Sequence, residues 1–340
     1  MRNTIKKTIT NRVSDLLKDI GISEKDHIIA SVSGGPDSVC MLYLLYILKN
    51  KLGYKLTIAH FNHKLRGKES ENDELYVKLL SKYLGIKLFI GQGDVSKEKK
   101  EKKITTQEAA RSLRYNFLFS LKKRIKATYI ATAHNLDDQA ELVLLRMIRG
   151  ASGTGLAGMP IFTFEKIIRP LITTTRKEII NYLAQHAIPY TMDSSNLSTT
   201  YLRNQIRLEL LPKLEAEFNP KIKQNLFRVS KYLKEDEDFI SSFIEKAKKR
   251  ATINRNGLNR CYDIEELRNI HISIRRRVFI EIFKEERVKV IRISHRHIEA
   301  MDKLIFNPKK VGEITLPGDV VAVRNDRFIY FKRHPRIIKN

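Results

Sequence analysis

Apolar residues in the first part of the chain alternate between short β-branched runs and longer stretches at helical spacing. Val13, Leu16, Leu17 and Ile20 predict a helix over residues 5–20. The run His27–Val32 predicts a buried strand, followed by a helix carrying Val39, Met41, Leu42, Leu44, Leu45 and Leu48. Lys55–Phe61, Lys87–Ile90 and Ala127–Ala133 predict three further strands. Between them, one helix is expected to be capped by Ser70, with Leu75, Leu79, Leu80 and Leu84 as its buried stripe. A second is capped by Thr106 and runs to about Ile125, and a third opens at Asn135 or Leu136 and ends near Gly150. Residues 91–103 are glycine and charge, and read as a solvated loop. This alternation predicts an α/β fold: a parallel, doubly wound sheet with helices on both faces and ligands at the carboxyl ends of its strands.

Residues 150–170 hold several Gly and Pro residues and read as an irregular, mobile flap. A helix is expected at about 175–186, a turn at Asp193–Asn196, and a helix from Thr200 that Pro212 stops. Beyond about 215 the alternation ends. Long helical patterns cover 220–250, 263–286 and 294–306, and Glu313–Phe331 reads as β-hairpins. The expected organisation is therefore a catalytic domain over 1–214 and a mostly helical C-terminal domain over 215–340, ending in β-hairpins.

Composition sharpens this picture. The 340 residues carry 64 Lys plus Arg against 38 Asp plus Glu, a formal charge of +26. Such an excess suits a polyanionic partner, although an AT-rich genome also inflates lysine usage. Two cysteines, Cys40 and Cys261, lie far apart, so no zinc or iron–sulfur site is expected. No apolar run is long enough to span a membrane, and the basic N-terminus has no apolar signal core. A cytoplasmic location is expected, or a plastid stroma if the chain is organelle-encoded. The oligomeric state, a homodimer included, stays open.

The strongest local motif is Ser33-Gly34-Gly35-Pro36-Asp37-Ser38, between the first strand and its helix. A helix N-terminus presents free N–H groups and a positive dipole end, which together favour an anion. Gly34 and Gly35 let backbone approach a phosphate, and Pro36 suits the first helical turn. The pattern is not a Walker A loop, which ends in Gly-Lys-Ser/Thr. It resembles the PP-loop ATP pyrophosphatases, in which this loop holds the pyrophosphate end of ATP and the bond between the α- and β-phosphates is broken.

Four further stretches extend the resemblance: His60-x-Asn62-His63-x-x-Arg66; Glu108-Ala109-Ala110-Arg111-x-x-Arg114-Tyr115; Ala131–Glu141 with His134, Asn135, Asp137 and Asp138; and Asp193-x-Ser195-Asn196 followed by Arg203-Asn204-Gln205-Ile206-Arg207. Together with the loop, they make residues 30–212 similar to the tRNA(Ile)-lysidine synthase family. Asn135 departs from the family, which usually has a second histidine there. The resemblance implies joining L-lysine to the wobble cytidine of a tRNA(Ile) with the anticodon CAU. ATP first adenylates the cytidine O2, and the lysine ε-amine then displaces AMP from C2. ATP contacts are then expected from Ala30, Ser33 to Ser38, His60 and Arg111.

The residue types suit this chemistry. Asp37, at a helix start beside phosphates, is a candidate Mg²⁺ ligand, with Asp138 as a second; the plain alternative is helix capping. Ser33 and Ser38 can donate hydroxyls to phosphate oxygens. Asp137 and Glu141 are four apart, so the spacing puts them on one helix face as a candidate site for the lysine amines. His134 is a candidate acceptor for the amine proton. Arg203, Asn204, Arg207 and Arg114 are candidate tRNA contacts, and residues 268–298 are rich in Lys and Arg. Three other readings compete: a tRNA thiolase, for which the cysteines are badly placed; a small-molecule amidating ligase of the same fold; and a non-catalytic RNA-binding protein.

Overall fold

The computed structural model describes residues 7–65, 67–151, 153–192, 202–253, 260–286, 288 and 293–333. The expected Asp193–Asn196 turn, Thr200 and Arg66 lie outside these residues. By its contacts the chain divides into two compact units, residues 1–234 and 235–340.

The first unit runs α1 (Ile9–Asp19), β1 (His27–Ser31), α2 (Pro36–Leu52), β2 (Lys55–Asn62), α3 (Lys68–Leu84), β3 (Leu88–Gln92), α4 (Val95–Lys102), α5 (Thr106–Arg124), β4 (Tyr129–Ala131), α6 (Leu136–Ile148), β5 (Ile167–Ile168) and α7 (Arg176–Gln185). Its five strands are parallel in the order β3-β2-β1-β4-β5. The chain steps outward from β1 to β3, then returns to the other side of β1 as β4. The strand order therefore reverses between β1 and β4, and the crevice at their carboxyl ends is where such sheets bind ligands.

Alternation along β1 builds both faces. Ile28 and Ala30 pack with α2, whereas Ile29 packs with Leu118 and Leu121 of α5. Helix α2 buries residues nearly all round, including Val39, Met41, Leu42, Leu44, Leu45 and Leu48, because it lies against the sheet beneath other helices. Gly53 ends it in the left-handed conformation (φ +80°).

Several local expectations are corrected. The charged stretch after β3 contains a helix, α4: the Asp94 carboxylate caps it by accepting from the Lys97 N–H at 3.0 Å, and Val95 is buried beneath it. Thr105, not Thr106, caps α5 in a reciprocal capping box with Glu108. Helix α3 starts before Ser70, which is itself buried. Its inner stripe is Val77, Leu80 and Leu84, while Leu75 and Leu79 face outward. The fifth strand falls inside the stretch expected to be irregular, and its two residues are too short for a periodic signal.

Pro212 does not stop its helix. Segments α8 (Leu202–Gln205) and α9 (Leu211–Lys213) are joined by a π-helical stretch, Ile206–Leu210, and a second one, Leu214–Phe218, follows. The Leu211 N–H bonds the Ile206 carbonyl five residues back. A π-turn relaxes the four-residue ladder that a proline breaks. Helix α10 (Ile222–Ala251) follows, and the division between the units falls within it.

The second unit has an antiparallel sheet of β6 (Thr252–Ile253), β7 (Cys261–Asp263), β8 (Val311–Leu316), β9 (Val320–Asn325) and β10 (Phe328–Arg333), ordered β6-β7-β10-β9-β8. Helices α11 (Ile264–Asn269), α12 (Ile272–Glu285) and α13 (His295–Phe306) share its core. The 263–286 pattern is thus two helices, broken at Ile270 and His271. Arg324 is buried and donates to the carbonyls of Leu304, Ile305 and Asn307, completing the C-terminal end of α13. The arginines of the basic stretch also face carboxylates: Arg275 and Arg276 share Asp302, and Arg277 holds Glu237.

Close packing of β3 on α5 yields a test. A Cβ at Gly91 would lie 2.5 Å from the Phe117 ring. Gly91→Ala is expected to destabilise the first unit by about 1–3 kcal/mol through overpacking, read by urea unfolding.

Candidate active site

The loop after β1 is shaped by its own side chains. The Ser38 hydroxyl accepts from the Ser33 N–H at 3.1 Å and donates to the Gly35 carbonyl at 2.9 Å. Ser38 therefore holds the turn, and in the unliganded loop its hydroxyl donates to the Gly35 carbonyl. Gly34 adopts φ +101°, its carbonyl accepts from the Thr191 N–H, and a Cβ there would meet Thr191 Oγ1 at 2.8 Å. Gly35 caps α2 with extended backbone and Pro36 follows in its first turn, leaving that end of the helix open to an anion. Ala30 is buried within the sheet, and its methyl belongs to the core.

Asp37 sits one residue further along α2. Its Oδ1 accepts from Asn135 Nδ2 at 3.0 Å, and an Arg176 guanidinium lies 3.8 Å from Oδ2. Burial raises its carboxyl above the usual range, and Arg176 and Asn135 partly offset this. Asn135 is itself buried and fully used. Its Oδ1 accepts the Asp138 N–H at 2.9 Å while Asp138 Oδ2 accepts the Asn135 N–H at 3.1 Å, a capping box at the start of α6. One amide thereby joins the loop after β1 to the helix after β4, across the crevice.

His60, on β2, is buried and donates through Nδ1 to the Val32 carbonyl at 2.9 Å. That leaves Nε2 as a buried acceptor with no partner among the described residues. Burial lowers its pKa and keeps the ring neutral. His63 packs edge-on against Phe61, with ring centroids 4.9 Å apart.

The acidic residues of α6 do not group as their spacing predicts. Glu141 is fully buried and takes Arg203 Nε at 3.0 Å together with Arg207 Nε. Asp138 joins the same pair, 3.3 Å from Arg203 and 3.2 Å from Arg207. Burial, then the Glu141 charge, raises Asp138 to about 6. Asp137 faces elsewhere: it accepts the Arg176 N–H at 2.8 Å and pairs at 2.8 Å with Lys223, which also holds Glu215. The expected Asp137–Glu141 pair is thus divided between two sets of partners. Arg203 and Arg207, the candidate tRNA contacts, hold carboxylates in the unliganded chain. Asn204 lies on the same short helix, α8.

His134 hydrogen-bonds Thr132 Oγ1 at 3.0 Å. Burial, then the charges of Arg169, Arg114, Arg111 and Arg203, push its pKa down to about 3. A ring so hard to protonate is a poor acceptor for an ammonium proton, whose free pKa is about 10.4. In the unliganded chain His134 is a neutral hydrogen-bonding group. Arg111 and Arg114 lie over the Tyr115 ring at 4.7 and 5.6 Å. Arg169, Thr191, Arg176 and Lys223 escape the sequence reading. Arg169 stands immediately after β5, and an Arg-Pro pair after an unrecognised strand is the only local signal for it.

The donor set suits one Mg²⁺ held mainly by phosphates. Asp37 keeps an oxygen at 3.8 Å from its guanidinium neighbour, while both oxygens of Asp138 are engaged, which corrects Asp138 as a ligand.

The amide bridge can be tested by inverting it. Asn135→Asp keeps the shape and the helix cap but sets two carboxylates face to face. It is expected to cost about 1–3 kcal/mol at pH 8 and less at pH 4, where one carboxyl takes a proton; urea unfolding at the two pH values reads this.

Comparison with known proteins agrees with this geometry. A family model described as a PP-loop domain matches residues 5–214. A tRNA(Ile)-lysidine synthase of Clostridioides difficile is 35% identical over 320 residues, covering 94% of this chain and 68% of that protein. One of Geobacter sulfurreducens is 33% identical over 310 residues, covering 91% and 65%. The chain thus spans about two thirds of the length of these relatives. Among solved structures, the U34-tRNA thiolase NcsA of Methanococcus maripaludis, with its [4Fe-4S] cluster, matches with a TM-score of 0.57 at 22% identity, covering 67% of this chain and 78% of that one; the likeness is one of fold. With a matching domain model and relatives aligned along nearly its whole length, this chain belongs to the tRNA(Ile)-lysidine synthase family of PP-loop proteins.

Proposed function

We propose that the chain joins L-lysine to C2 of cytidine 34 in the CAU anticodon of tRNA(Ile), consuming ATP and releasing pyrophosphate and AMP. The observation that carries this reading is the crevice between β1 and β4. There a glycine phosphate loop lies one amide bridge from a cluster of carboxylates that already binds cationic side chains.

In the first half-reaction the cytidine O2 bonds to the α-phosphorus of ATP, and the bond to the bridging β-oxygen breaks. The Gly34–Asp37 backbone receives the pyrophosphate end at the N-terminus of α2. Asp37 would hold Mg²⁺, which offsets charge on the leaving pyrophosphate. Asn135 fixes that carboxylate, and His60 offers its bare Nε2 to an N–H donor such as the adenine amine. In the second half-reaction the lysine ε-nitrogen bonds to C2, the C2–O bond breaks and AMP leaves.

Ammonium recognition falls to α6. Asp137 and Glu215 already hold the Lys223 ammonium, so the local chemistry is that of a lysine site. Substrate lysine reaches Asp137 when Lys223 gives way. The second unit supplies an RNA-binding surface. An open groove of about 700 Å³ is lined there by Phe243, Lys246, Lys249, Arg250 and His271, a mix of stacking and phosphate-binding groups.

A thiolase reading needs accessible thiols. Cys40 is buried, and burial pushes its thiol up to about 12, so it is poorly suited to carry sulfur.

The test is separate assay of the two half-reactions with tRNA(Ile), labelled ATP and labelled lysine. AMP release is expected to require both tRNA and lysine; release that ignores lysine overturns the reading. Asp37→Ala is expected to lower tRNA-dependent pyrophosphate release at least 100-fold. Asp137→Asn is expected to raise the lysine KM at least tenfold while adenylation persists. Loss of adenylation with unchanged lysine use reassigns Asp137 to the ATP side.

A further inference from the structure

We propose that Arg169, with Arg111 and Arg114, forms a distinct anion site that takes the α-phosphate during adenylation; this rests on the function proposed above. Arg169 follows β5 directly, at the carboxyl edge of the sheet, and is only 4% exposed. Its Nη1 donates to the Pro160 carbonyl, and its side chain bonds that of Tyr115. Its Nε is buried and has no partner among the described residues. A guanidinium N–H left bare in the interior costs free energy, and an incoming acceptor would relieve that cost.

The surroundings say what that acceptor is. Arg111 and Arg114 lie over the Tyr115 ring and Arg169 bonds its side chain, so three guanidinium groups meet at one tyrosine. Gathering three cations around one neutral phenol is unfavourable unless an anion joins them. Phosphate matches the guanidinium fork, which can offer it paired donors.

Position identifies the phosphate. Ile168, the residue before Arg169, accepts the Thr132 N–H at 3.0 Å, Thr132 bonds His134, and Asn135, next in the chain, bonds Asp37 in the glycine loop. The arginine cluster therefore borders the loop, and one triphosphate can contact both. With the pyrophosphate end in the loop, the α-phosphate falls to the arginines. As the O2–phosphorus bond forms and the pyrophosphate leaves with its electron pair, negative charge on the α-phosphate oxygens changes most. Fixed donors placed there lower the barrier.

The test uses the full chain, the variants Arg169→Met and Arg169→Lys, α,β-methylene-ATP with Mg²⁺, and tRNA alone. Arg169→Met removes a buried cation together with its bonds to Pro160 and Tyr115, so each variant's thermal midpoint without ligand serves as its own baseline. The upward shift given by the ATP analogue is expected to fall by at least half. Tightness of tRNA binding is expected to hold within twofold. Pyrophosphate release is expected to drop at least 100-fold in kcat with KM for ATP raised about fivefold or more, in step with the lost analogue shift, and Arg169→Lys to recover part of the rate.

A lowered midpoint with the analogue shift intact makes Arg169 merely structural and overturns the proposal. Weakened tRNA binding with the analogue shift intact assigns the arginines to a tRNA phosphate and also overturns it. If the parent chain releases no pyrophosphate with tRNA, the lysidine reading fails, while the analogue shift still judges Arg169 separately.

Discussion

A carboxylate removed from water must be met by donors or cations, and at Glu141 this requirement organises the site. Glu141 is fully buried in the second turn of α6, and its partners, Arg203 and Arg207, come from a segment sixty residues later. That segment is therefore drawn back onto α6. Lys223 repeats the arrangement at Asp137. Buried ion pairs are rarely the cheapest way to stabilise a fold, because desolvation offsets most of the attraction. A cluster of five carboxylates with four cations beside a phosphate loop is thus better explained by what it binds than by what it stabilises.

The same crevice receives two helix N-termini, those of α2 and α6. Asp37, Asp137 and Asp138 all occupy first turns, where the helix dipole favours negative charge. Capping and function do not compete for these residues. Asn135 shows how both are met at once: its carbonyl oxygen caps α6 while its amide nitrogen holds Asp37. Turning the amide over would set oxygen against carboxylate and N–H against N–H, so the network itself fixes the orientation.

Most of the sheet was legible because its longer strands are rich in apolar and β-branched residues and several of the helices between them open at a side-chain cap. The phosphate loop was legible because its glycines, proline and serines are consecutive. What escaped was set by partners distant in sequence. Spacing places Asp137 and Glu141 on one face but says nothing of Lys223 or Arg207, which separate them. Strand β5 has two residues and exists only because Ile130 and Ala131 pair with it. Arg169 follows that strand, so it could not be seen until the strand was. Pro212 reads as a stop only if the helix keeps a four-residue ladder, and here the ladder widens to five.

Net charge is a poor guide to where the chain meets RNA. Of the formal +26, the most conspicuous basic run, Arg275 to Arg277, is spent on Asp302 and Glu237 inside the second unit. Arg324 is spent on the carbonyls ending α13. In the first unit Arg203 and Arg207 neutralise carboxylates, and their charge is available to a ligand only if Asp138 and Glu141 find another cation. On the lysidine reading substrate lysine enters at Asp137, so the side chain it displaces is the Lys223 ammonium, and the two arginines keep their carboxylates.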